Sequence, residues 1–144
     1  MFERNEILYI AKYWLISLML VISPAFSSIQ SDIDSADSGS TINVPAGTYF
    51  ESLDISKSIS LICESGAIID ASGLSSGINI HAENVTVDGC EIVGNHQTVY
   101  GISCSPGAEN VTISNNIIHG MKMPHENGLP ASYGILVWGG QEVS

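Results

Sequence analysis

Three aromatic side chains and two polar ones are the strongest candidates for binding chemistry. Tyr100 and Tyr133 each precede a glycine at matching places, and Trp138 stands five residues beyond Tyr133. Aromatic side chains combine a large apolar face with a polar edge, which suits stacking on sugar rings. His81 and Asp88 could contact hydroxyl groups of a sugar. The alternatives are ordinary packing under a loop for the aromatic residues and a solvated surface position for His81.

Catalysis by paired carboxylates is not indicated. Asp70, Asp88 and Glu91 occur singly, whereas glycoside hydrolases need two carboxyl groups held close together. The positions equivalent to Asp88 in neighbouring copies of the repeat described below are Ile62 and Ser114. We therefore predict no catalytic set within this chain, which leaves open whether the protein is an enzyme.

A metal site is conceivable around His119, His125 and Glu126. These residues lack a ligand spacing such as His-x-x-x-His, which zinc sites on helices commonly show. We therefore predict no metal ion and no other cofactor; calcium is conceivable but not indicated.

Two asparagines have both a modification and a structural interpretation. Asn84 and Asn110 each open an Asn-Val-Thr sequence, which is an acceptor for N-glycosylation on an exported chain. An asparagine at the turn into a strand can also satisfy neighbouring backbone groups. We favour the structural role, because the two residues recur at the same place in a repeat.

The candidate residues lie in or between copies of a repeated phrase. ENVTVDGCEIVG occupies residues 83–94 and ENVTISNNIIHG residues 109–120, and ISLICESGAIID, residues 59–70, is a weaker copy. Apolar residues at every second position predict a strand with one buried face. A second phrase recurs in step with the first, as GINI, GISC and GILV, which open at Gly77, Gly101 and Gly134.

A period of about 26 residues with several short strands is typical of a solenoid. One turn cannot bury its own inward face, whereas stacked turns can, with strands pairing in parallel from turn to turn. We therefore predict an all-β parallel solenoid of about four coils over residues 28–144, in which Val87 stacks on Ile113 and Thr86 faces out. A helical solenoid is rejected, because the repeat is rich in Thr, Val, Ile, Asn and Gly.

A short capping helix is predicted before the first coil. Ser27 or Ser28 can cap a helix that ends by Gly39, because serine is a preferred N-cap residue. Its apolar face would be formed by Ile29, Ile33 and Ala36. Such a helix would cover the otherwise open edge of the first coil. The following PAGTY, residues 45–49, is interpreted as a turn.

The N-terminal residues predict an export signal. Residues 13–22 form an uninterrupted, mostly apolar run, which has the length of a signal-peptide core and is short of the roughly 20 residues of a bilayer span. Small residues favour cleavage after Ala25, which would remove residues 1–25. The alternative is an uncleaved anchor over residues 7–26. Both interpretations place the rest of the chain outside the cytoplasm, secreted or at the cell surface.

The charge of the chain restricts its partners. Net charge is −11, and beyond residue 25 the sequence holds thirteen carboxylates but only two cations, Lys57 and Lys122. Such a surface repels nucleic acid and anionic lipid, so we exclude nucleic-acid binding. We expect a polysaccharide or a cell-envelope glycan as partner, and a neutral glycan rather than a polyuronate.

Cys63, Cys90 and Cys104 make an odd count. No complete disulfide framework can be built from three cysteines. We therefore expect them to be small buried residues.

The spacing of the glycines predicts a loop and an uncovered edge. Six residues link Gly94 to Gly101, whereas thirteen link Gly120 to Gly134, and the excess should bulge out where binding residues collect. At the other end, EVS stands in the slot of the repeated NVT, so we expect further coils or a second subunit at the C-terminal edge.

Residues 29–140 resemble a known superfamily. The runs IQSDID and INVPAGTYFESLDISKSISLICESGAIID are similar to the cap and first coils of right-handed parallel β-helix proteins of the pectate-lyase-like superfamily, and NVTVDGCEI and NVTISNNII are similar to its repeats. The resemblance implies an exported protein, often carbohydrate-associated. The leading hypothesis is a non-catalytic glycan-contacting module; the alternatives are the N-terminal part of a polysaccharide lyase or hydrolase and a structural envelope protein.

Overall fold

A computed structural model describes residues 28–122 and 132–139, and within these residues the chain forms one helix and twelve strands. The residues of the predicted leader, and those at 123–131 in the predicted loop, lie outside the described residues. The elements are α1 (Ile29–Ser35), β1 (Thr41–Val44), β2 (Gly47–Tyr49), β3 (Leu53–Ile55), β4 (Ser60–Cys63), β5 (Ala67–Asp70), β6 (Ser76–Ile80), β7 (Thr86–Asp88), β8 (Glu91–Val93), β9 (Tyr100–Cys104), β10 (Thr112–Ser114), β11 (Ile117–His119) and β12 (Tyr133–Val137).

The twelve strands form three parallel sheets of four strands each. The first sheet has the order β1-β4-β7-β10, the second β2-β5-β8-β11 and the third β3-β6-β9-β12. Each run of three consecutive strands therefore makes one coil, which gives one strand to every sheet, and coils 1 to 4 stack in chain order. The predicted all-β parallel solenoid of about four coils, with a short helix before it, is confirmed.

The register of the strands explains why the phrase repeats. Val87 pairs with Ile113, and Ile92 pairs with Ile118. Val87 and Ile92 are fully buried inside the coil, while Thr86, one position before Val87, is only half-buried. The repeated apolar positions are thus the inward positions that neighbouring coils pack together, as the alternation predicts.

The capping helix is confirmed, but it ends earlier than predicted. Ser28 is the N-cap and accepts a hydrogen bond from the Ser31 amide, while Ile29 and Ile33 are buried against coil 1. The helix ends at Ser35 rather than near Gly39, because the C-cap residue Ala36 adopts an extended backbone, with φ of −71° and ψ of 146°.

Coil 1 holds the helix by its termini. The Glu51 carboxylate accepts hydrogen bonds from the Ile29 and Gln30 amides and from the Ser28 hydroxyl. At the other end, Lys57 Nζ donates to the Asp34 and Ala36 carbonyl oxygens, at 2.9 Å each. A carboxylate at the N-terminus and an ammonium at the C-terminus complement the helix dipole.

The interpretation of residues 45–49 as a turn is wrong for the last three of them. Gly47–Tyr49 is strand β2, which pairs in parallel with Ala67–Ile69 of β5. The Gly47 amide donates to the Gly66 carbonyl at 2.9 Å. Pro45 and Ala46 form the corner, and the edge offered by β5 overrides the turn propensity of glycine.

The structure also corrects the expectation for two cysteines. Cys63 and Cys90 are buried, as expected, but they form a disulfide between coils 2 and 3, with their Cα atoms 4.9 Å apart. The odd count leaves Cys104 free and buried, and burial raises the pKa of its thiol. A single pair of cysteines is enough to link two neighbouring coils. The expectation missed this pair because it considered only a complete disulfide framework, which three cysteines cannot form.

Glycine opens the third-sheet strands for a steric reason. A Cβ on Gly77 would lie 2.5 Å from Ile92 Cγ2 and 2.7 Å from the carbonyl oxygen of Gly101, one coil on. A Cβ on Gly101 would meet Ile118 at 2.4 Å and the Gly134 carbonyl oxygen at 2.5 Å. Gly77 and Gly101 are therefore required by the close approach of the next coil, which explains the glycines of GINI and GISC.

Candidate functional site

The outer surface of the third sheet brings together most of the residues predicted to bind a ligand. Its central column contains the residues that alternate with the inward-facing positions of the strands: Asp54, Asn79, Ser103 and Leu136, which pair one above the other from coil 1 to coil 4. Ser103 is itself buried, at 7% exposure. Tyr100 and Tyr133 lie at one end of these strands, and His81 and Trp138 follow the other end. We refer to these eight residues as the third-sheet face.

The two tyrosines contact each other. Tyr100 pairs with Tyr133 in register, and their rings stack with centroids 6.1 Å apart at an interplanar angle of 23°. In the coils before them the same column holds serines, with the hydroxyl oxygens of Ser52 and Ser76 3.3 Å apart. Tyr133 remains 37% exposed, so the aromatic pair packs internally and still presents surface to solvent.

Trp138 and His81 share a column at the opposite end of the strands. The amides of His81, Ser105 and Trp138 each donate to the last residue of the third-sheet strand one coil earlier. Since neighbouring strands are about 4.8 Å apart, His81 and Trp138 lie roughly 10 Å apart along the solenoid, with Ser105 between them. Trp138 is 48% exposed.

His81 pairs with Asp54 of coil 1. Their Nε2 and Oδ1 atoms are 3.6 Å apart, and both side chains are exposed. When the imidazole is protonated this contact is an ion pair, and exposed pairs of this kind contribute little to stability. Both groups therefore remain able to exchange hydrogen bonds with a ligand.

Asp88 does not lie on the third-sheet face. It belongs to β7 of the first sheet, where its register neighbours are Ile62 and Ser114, as the repeat predicts. Asp88 Oδ1 accepts hydrogen bonds from Ser114 Oγ at 2.6 Å and from Asn115 Nδ2 at 2.7 Å. These two hydrogen bonds, that of Ser114 above all, lower the pKa of Asp88. The carboxylate thus links coil 3 to coil 4 and is separated from the aromatic residues.

The sequon asparagines form a ladder between coils. Asn110 Nδ2 donates to Asn84 Oδ1 at 2.6 Å, and both residues have a left-handed backbone, with φ of 52° and 55°. Asparagine tolerates this conformation better than other non-glycine residues. The structural role favoured for the pair therefore has a direct geometric basis, and both side chains are exposed.

A third asparagine, Asn116, has a role that the sequence did not reveal. Its Oδ1 accepts from the Cys90 amide and its Nδ2 donates to the Val87 carbonyl, both at 2.8 Å. One side chain thus satisfies two backbone groups of the previous coil where the chain leaves the first sheet. The signal in the sequence is the pair of adjacent asparagines at the turn.

The structure describes only some of the residues that were considered as a metal site. His119 Nε2 lies 2.9 Å from Glu91 Oε1 on the neighbouring coil, while His125 and Glu126 lie outside the described residues. Among residues 28–122 and 132–139, no group of three or more His, Cys, Asp or Glu side chains is arranged to hold a metal ion.

The third-sheet face combines aromatic rings with mainly uncharged polar groups. Besides the buried Ser103 hydroxyl, its polar groups are the Asn79 amide, two tyrosine hydroxyls and the Asp54–His81 pair, and it contains no lysine or arginine. At about 3.3 Å per residue, Tyr133 and Trp138 are roughly 17 Å apart along β12. The sequence identified the aromatic residues and His81 but missed Asp54, Asn79, Ser103 and Leu136, although the alternation in LDI, GINI, GISC and GILV would have found them.

No helix among the described residues is long and apolar enough to cross a membrane. That finding covers α1 alone, which has seven residues.

Comparison with known proteins places the chain in a family. A family model described as a right-handed β-helix region matches residues 36–144. The chain is 32% identical over 113 residues to a probable ABC transporter binding protein NosD of Stutzerimonas stutzeri, over 73% of this chain and 26% of that protein. It is 38% identical over 102 residues to a cell surface glycoprotein of Methanothermus fervidus, over 67% of this chain and 16% of that protein. No solved structure matches the chain significantly.

The chain spans 26% and 16% of the length of these two relatives. The matched region covers all twelve strands, so sequence and architecture agree on the relationship. The stacking of three parallel sheets over four coils and the family match together show that this chain belongs to the right-handed β-helix family.

Proposed function

We propose that this chain is the β-helix module of a protein at the cell surface, and that it binds a neutral glycan, without catalysis, through the third-sheet face. The observation that carries the proposal is the concentration of exposed aromatic surface at both ends of the same strands. Tyr133 begins β12 and Trp138 follows it, and both are partly exposed. Binding residues held on regular strands are positioned more accurately than those on loops.

A location outside the cytoplasm is supported by chemistry and by similarity. The Cys63–Cys90 disulfide is stable in an oxidising compartment and would be reduced in most cytosols. One relative is named as a cell surface glycoprotein. The apolar run at residues 13–22 provides an export signal or an anchor.

Binding rather than catalysis is supported by the arrangement of the carboxylates. Asp54 faces His81, and Asp88 is held by two hydrogen bonds from coil 4 on a different sheet. These two carboxylates therefore cannot act together on one glycosidic bond, which acid–base hydrolysis requires. The other relative is named as a probable binding protein, which agrees with this assignment.

A neutral ligand is supported by charge. The net charge of −11 opposes the approach of polyanions. One of the two cations beyond residue 25, Lys57, already binds the carbonyl oxygens at the end of α1. No lysine or arginine lies on the third-sheet face to neutralise a uronate carboxylate.

The expected affinity is modest. Contacts with aromatic rings contribute about 1 kcal/mol each beyond burial, and Tyr133 and Trp138 are the two exposed aromatic residues on the face. For a single site we expect a dissociation constant of roughly 10 µM to 1 mM. Several copies of a surface protein on one envelope would raise the effective affinity through multivalency.

The proposal is tested by titrating the full chain with a neutral polysaccharide and with a polyuronate, both in the presence of a calcium chelator. Trp138→Ala should weaken binding of the neutral glycan by about tenfold. Phe50→Ala is the matched control, since Phe50 is 79% exposed but follows β2 of the second sheet. Equal binding by both variants, or tighter binding of the polyuronate, would contradict the proposal, and the absence of any glycan binding would favour a structural envelope role.

A further inference from the structure

The two Asn-Val-Thr sequons occupy the same place on successive turns between the third sheet and the first. Asn84 lies two residues before β7, and Asn110 lies two residues before β10. Both asparagines are exposed, whereas the valines that follow them, Val85 and Val111, are buried in the core. The fold therefore leaves the asparagine of each sequon in contact with solvent, as a modified residue requires, because an attached glycan is bulky and hydrated.

The ladder between the sequons uses its two side chains unequally. Asn110 Nδ2 donates to Asn84 Oδ1 at 2.6 Å, so Asn84 enters this bond through its oxygen. Within residues 28–122 and 132–139, Asn84 Nδ2 makes no hydrogen bond. A side-chain amide nitrogen carries two hydrogens, and a sugar on Asn84 Nδ2 leaves the accepting oxygen in place. A sugar on Asn110 Nδ2 would instead stand on the atom that contacts Asn84.

The turn that carries Asn84 is held by the turns before and after it. The Asn84 amide donates to the Glu109 carbonyl at 2.9 Å. On the other side, the Ser58 hydroxyl donates to the Glu83 carbonyl at 2.8 Å. These backbone groups are satisfied without the Asn84 side-chain nitrogen, so a substituent on that nitrogen leaves the bonds between the turns intact.

We infer that Asn84 carries an N-linked glycan, and that Asn110 stays unmodified as the donor of the ladder. The transfer breaks the bond between C1 of a sugar and the phosphate oxygen of a lipid-linked sugar donor, and it joins C1 to Asn84 Nδ2. The amide nitrogen loses one proton, and the lipid phosphate leaves. Sequons are modified on exported chains, so this modification rests on the location outside the cytoplasm proposed above. The structural and the modification roles of the sequons are thus divided between two residues.

Site occupancy is measured by tandem mass spectrometry of glycopeptides from the full-length protein, purified from the cells that encode it. We expect a glycan on the peptide that contains Asn84 and none on the peptide that contains Asn110. An unmodified Asn84, or a glycan on Asn110, would overturn the inference. Fractionation of the same cells tests the location separately. An unmodified protein found outside the cytoplasm contradicts the assignment of Asn84 alone, whereas a cytoplasmic protein contradicts the proposed location as well.

Threonine variants test the sequon without changing either asparagine of the ladder. Thr86→Ala removes the sequon of Asn84 and should abolish the gel shift that the glycan causes, whereas Thr86→Ser keeps the sequon and should retain the shift. Thr86 is half-buried at the outer surface, so both variants should fold. Thr112→Ala is the matched control, because it removes only the sequon of Asn110, and it should migrate as wild type does. A shift that persists in Thr86→Ala, or that is lost in Thr112→Ala, would contradict the assignment to Asn84.

Discussion

The first and third sheets of this solenoid differ in the contacts that their polar and aromatic side chains make. On the first sheet and the turns on either side of it, polar side chains bond from coil to coil: Asn84 with Asn110, Asp88 with Ser114 and Asn115, and Asn116 with the backbone of coil 3. On the third-sheet face, Tyr133 and Trp138 are exposed, and Asp54 and His81 meet only in an exposed pair. Polar side chains on and beside the first sheet thus link neighbouring coils, whereas the third-sheet face is where we propose that a ligand binds.

The difference indicates which outward positions of a solenoid can change without loss of stability. Backbone pairing holds every strand, so an outward side chain is free to change unless it also joins two coils. The third-sheet strands differ from coil to coil at Asp54, Asn79, Ser103 and Leu136. Asn84 and Asn110 repeat at the turn before the first-sheet strands, where their side chains bond to each other.

The largest expected loss of stability comes from placing a charge on the inward side of the first sheet, compared with its outward side. Val87→Asp should destabilise the protein by about 4 kcal/mol or more, because it buries an unpaired carboxylate between Leu61 and Ile113. Thr86→Asp, one residue earlier and half-buried at the outer surface, should cost less than about 1 kcal/mol. Chemical denaturation of the two variants checks the register, and similar losses would show it to be wrong.

The disulfide should have the next largest effect. Opening the Cys63–Cys90 bond, which spans a sequence separation of 27, should cost about 3.5 kcal/mol through the entropy of the unfolded chain. The midpoint of urea unfolding should therefore fall when dithiothreitol is added to wild type. A Cys63→Ala/Cys90→Ala variant should not respond to dithiothreitol. Cys104→Ala, which keeps the bond, should respond as wild type does.

The same substitution at Asn116 and at Asn79 compares the turn after the first sheet with the third-sheet face. Asn116→Ala should cost about 1 to 3 kcal/mol, because it leaves the Cys90 amide and the Val87 carbonyl without their partner. Asn79→Ala, in the outer column of the third sheet, should change stability by less than about 0.5 kcal/mol. If thermal denaturation showed equal losses of stability for the two variants, the proposed difference between the first sheet and the third-sheet face would be wrong.

The smallest effect concerns pH. Hydrogen bonds from Ser114 and Asn115 lower the pKa of Asp88 below 3.8, so this group binds protons less readily in the folded state. Its contribution to stability is therefore present above pH 3.8 and is lost as pH falls through the folded pKa. Asp88→Asn should make the thermal midpoint less sensitive to pH below about 4. An unchanged slope between pH 5 and pH 2.5 would argue against the link between coils 3 and 4.

Much of this architecture could be predicted because the repeat encodes it locally. The repeat placed Val87 and Ile113 in register. The recurring glycines of GINI and GISC were also visible in the sequence, and the structure shows that the next coil approaches them closely. Strand β2 was not predicted, because Pro45 before it and Gly47 at its start indicate a turn. Its formation depends on pairing with β5, some twenty residues away. The partners of α1, Glu51 and Lys57, are equally distant in sequence.

The candidate site was predictable only as separate residues. Tyr100 and Tyr133 were paired by their positions before glycine, and the structure stacks them. His81 was combined with Asp88, whereas the fold places Asp54 beside it, because the strand before His81 pairs with β3. The disulfide required knowing that Cys63 and Cys90 face each other across two coils, which their count alone could not show.

The most direct test of the account separates binding from stability on the two faces. Glycan affinity and thermal midpoint are measured for Tyr133→Ala/Trp138→Ala and for Asn116→Ala in the same preparation. The account predicts that the aromatic double variant loses neutral-glycan binding by tenfold or more while its midpoint stays within about 2 °C of wild type. It also predicts that Asn116→Ala melts earlier and binds normally below its transition. Retained binding in the aromatic variant, or loss of binding only in proportion to loss of stability, would contradict the assignment of recognition to the third sheet.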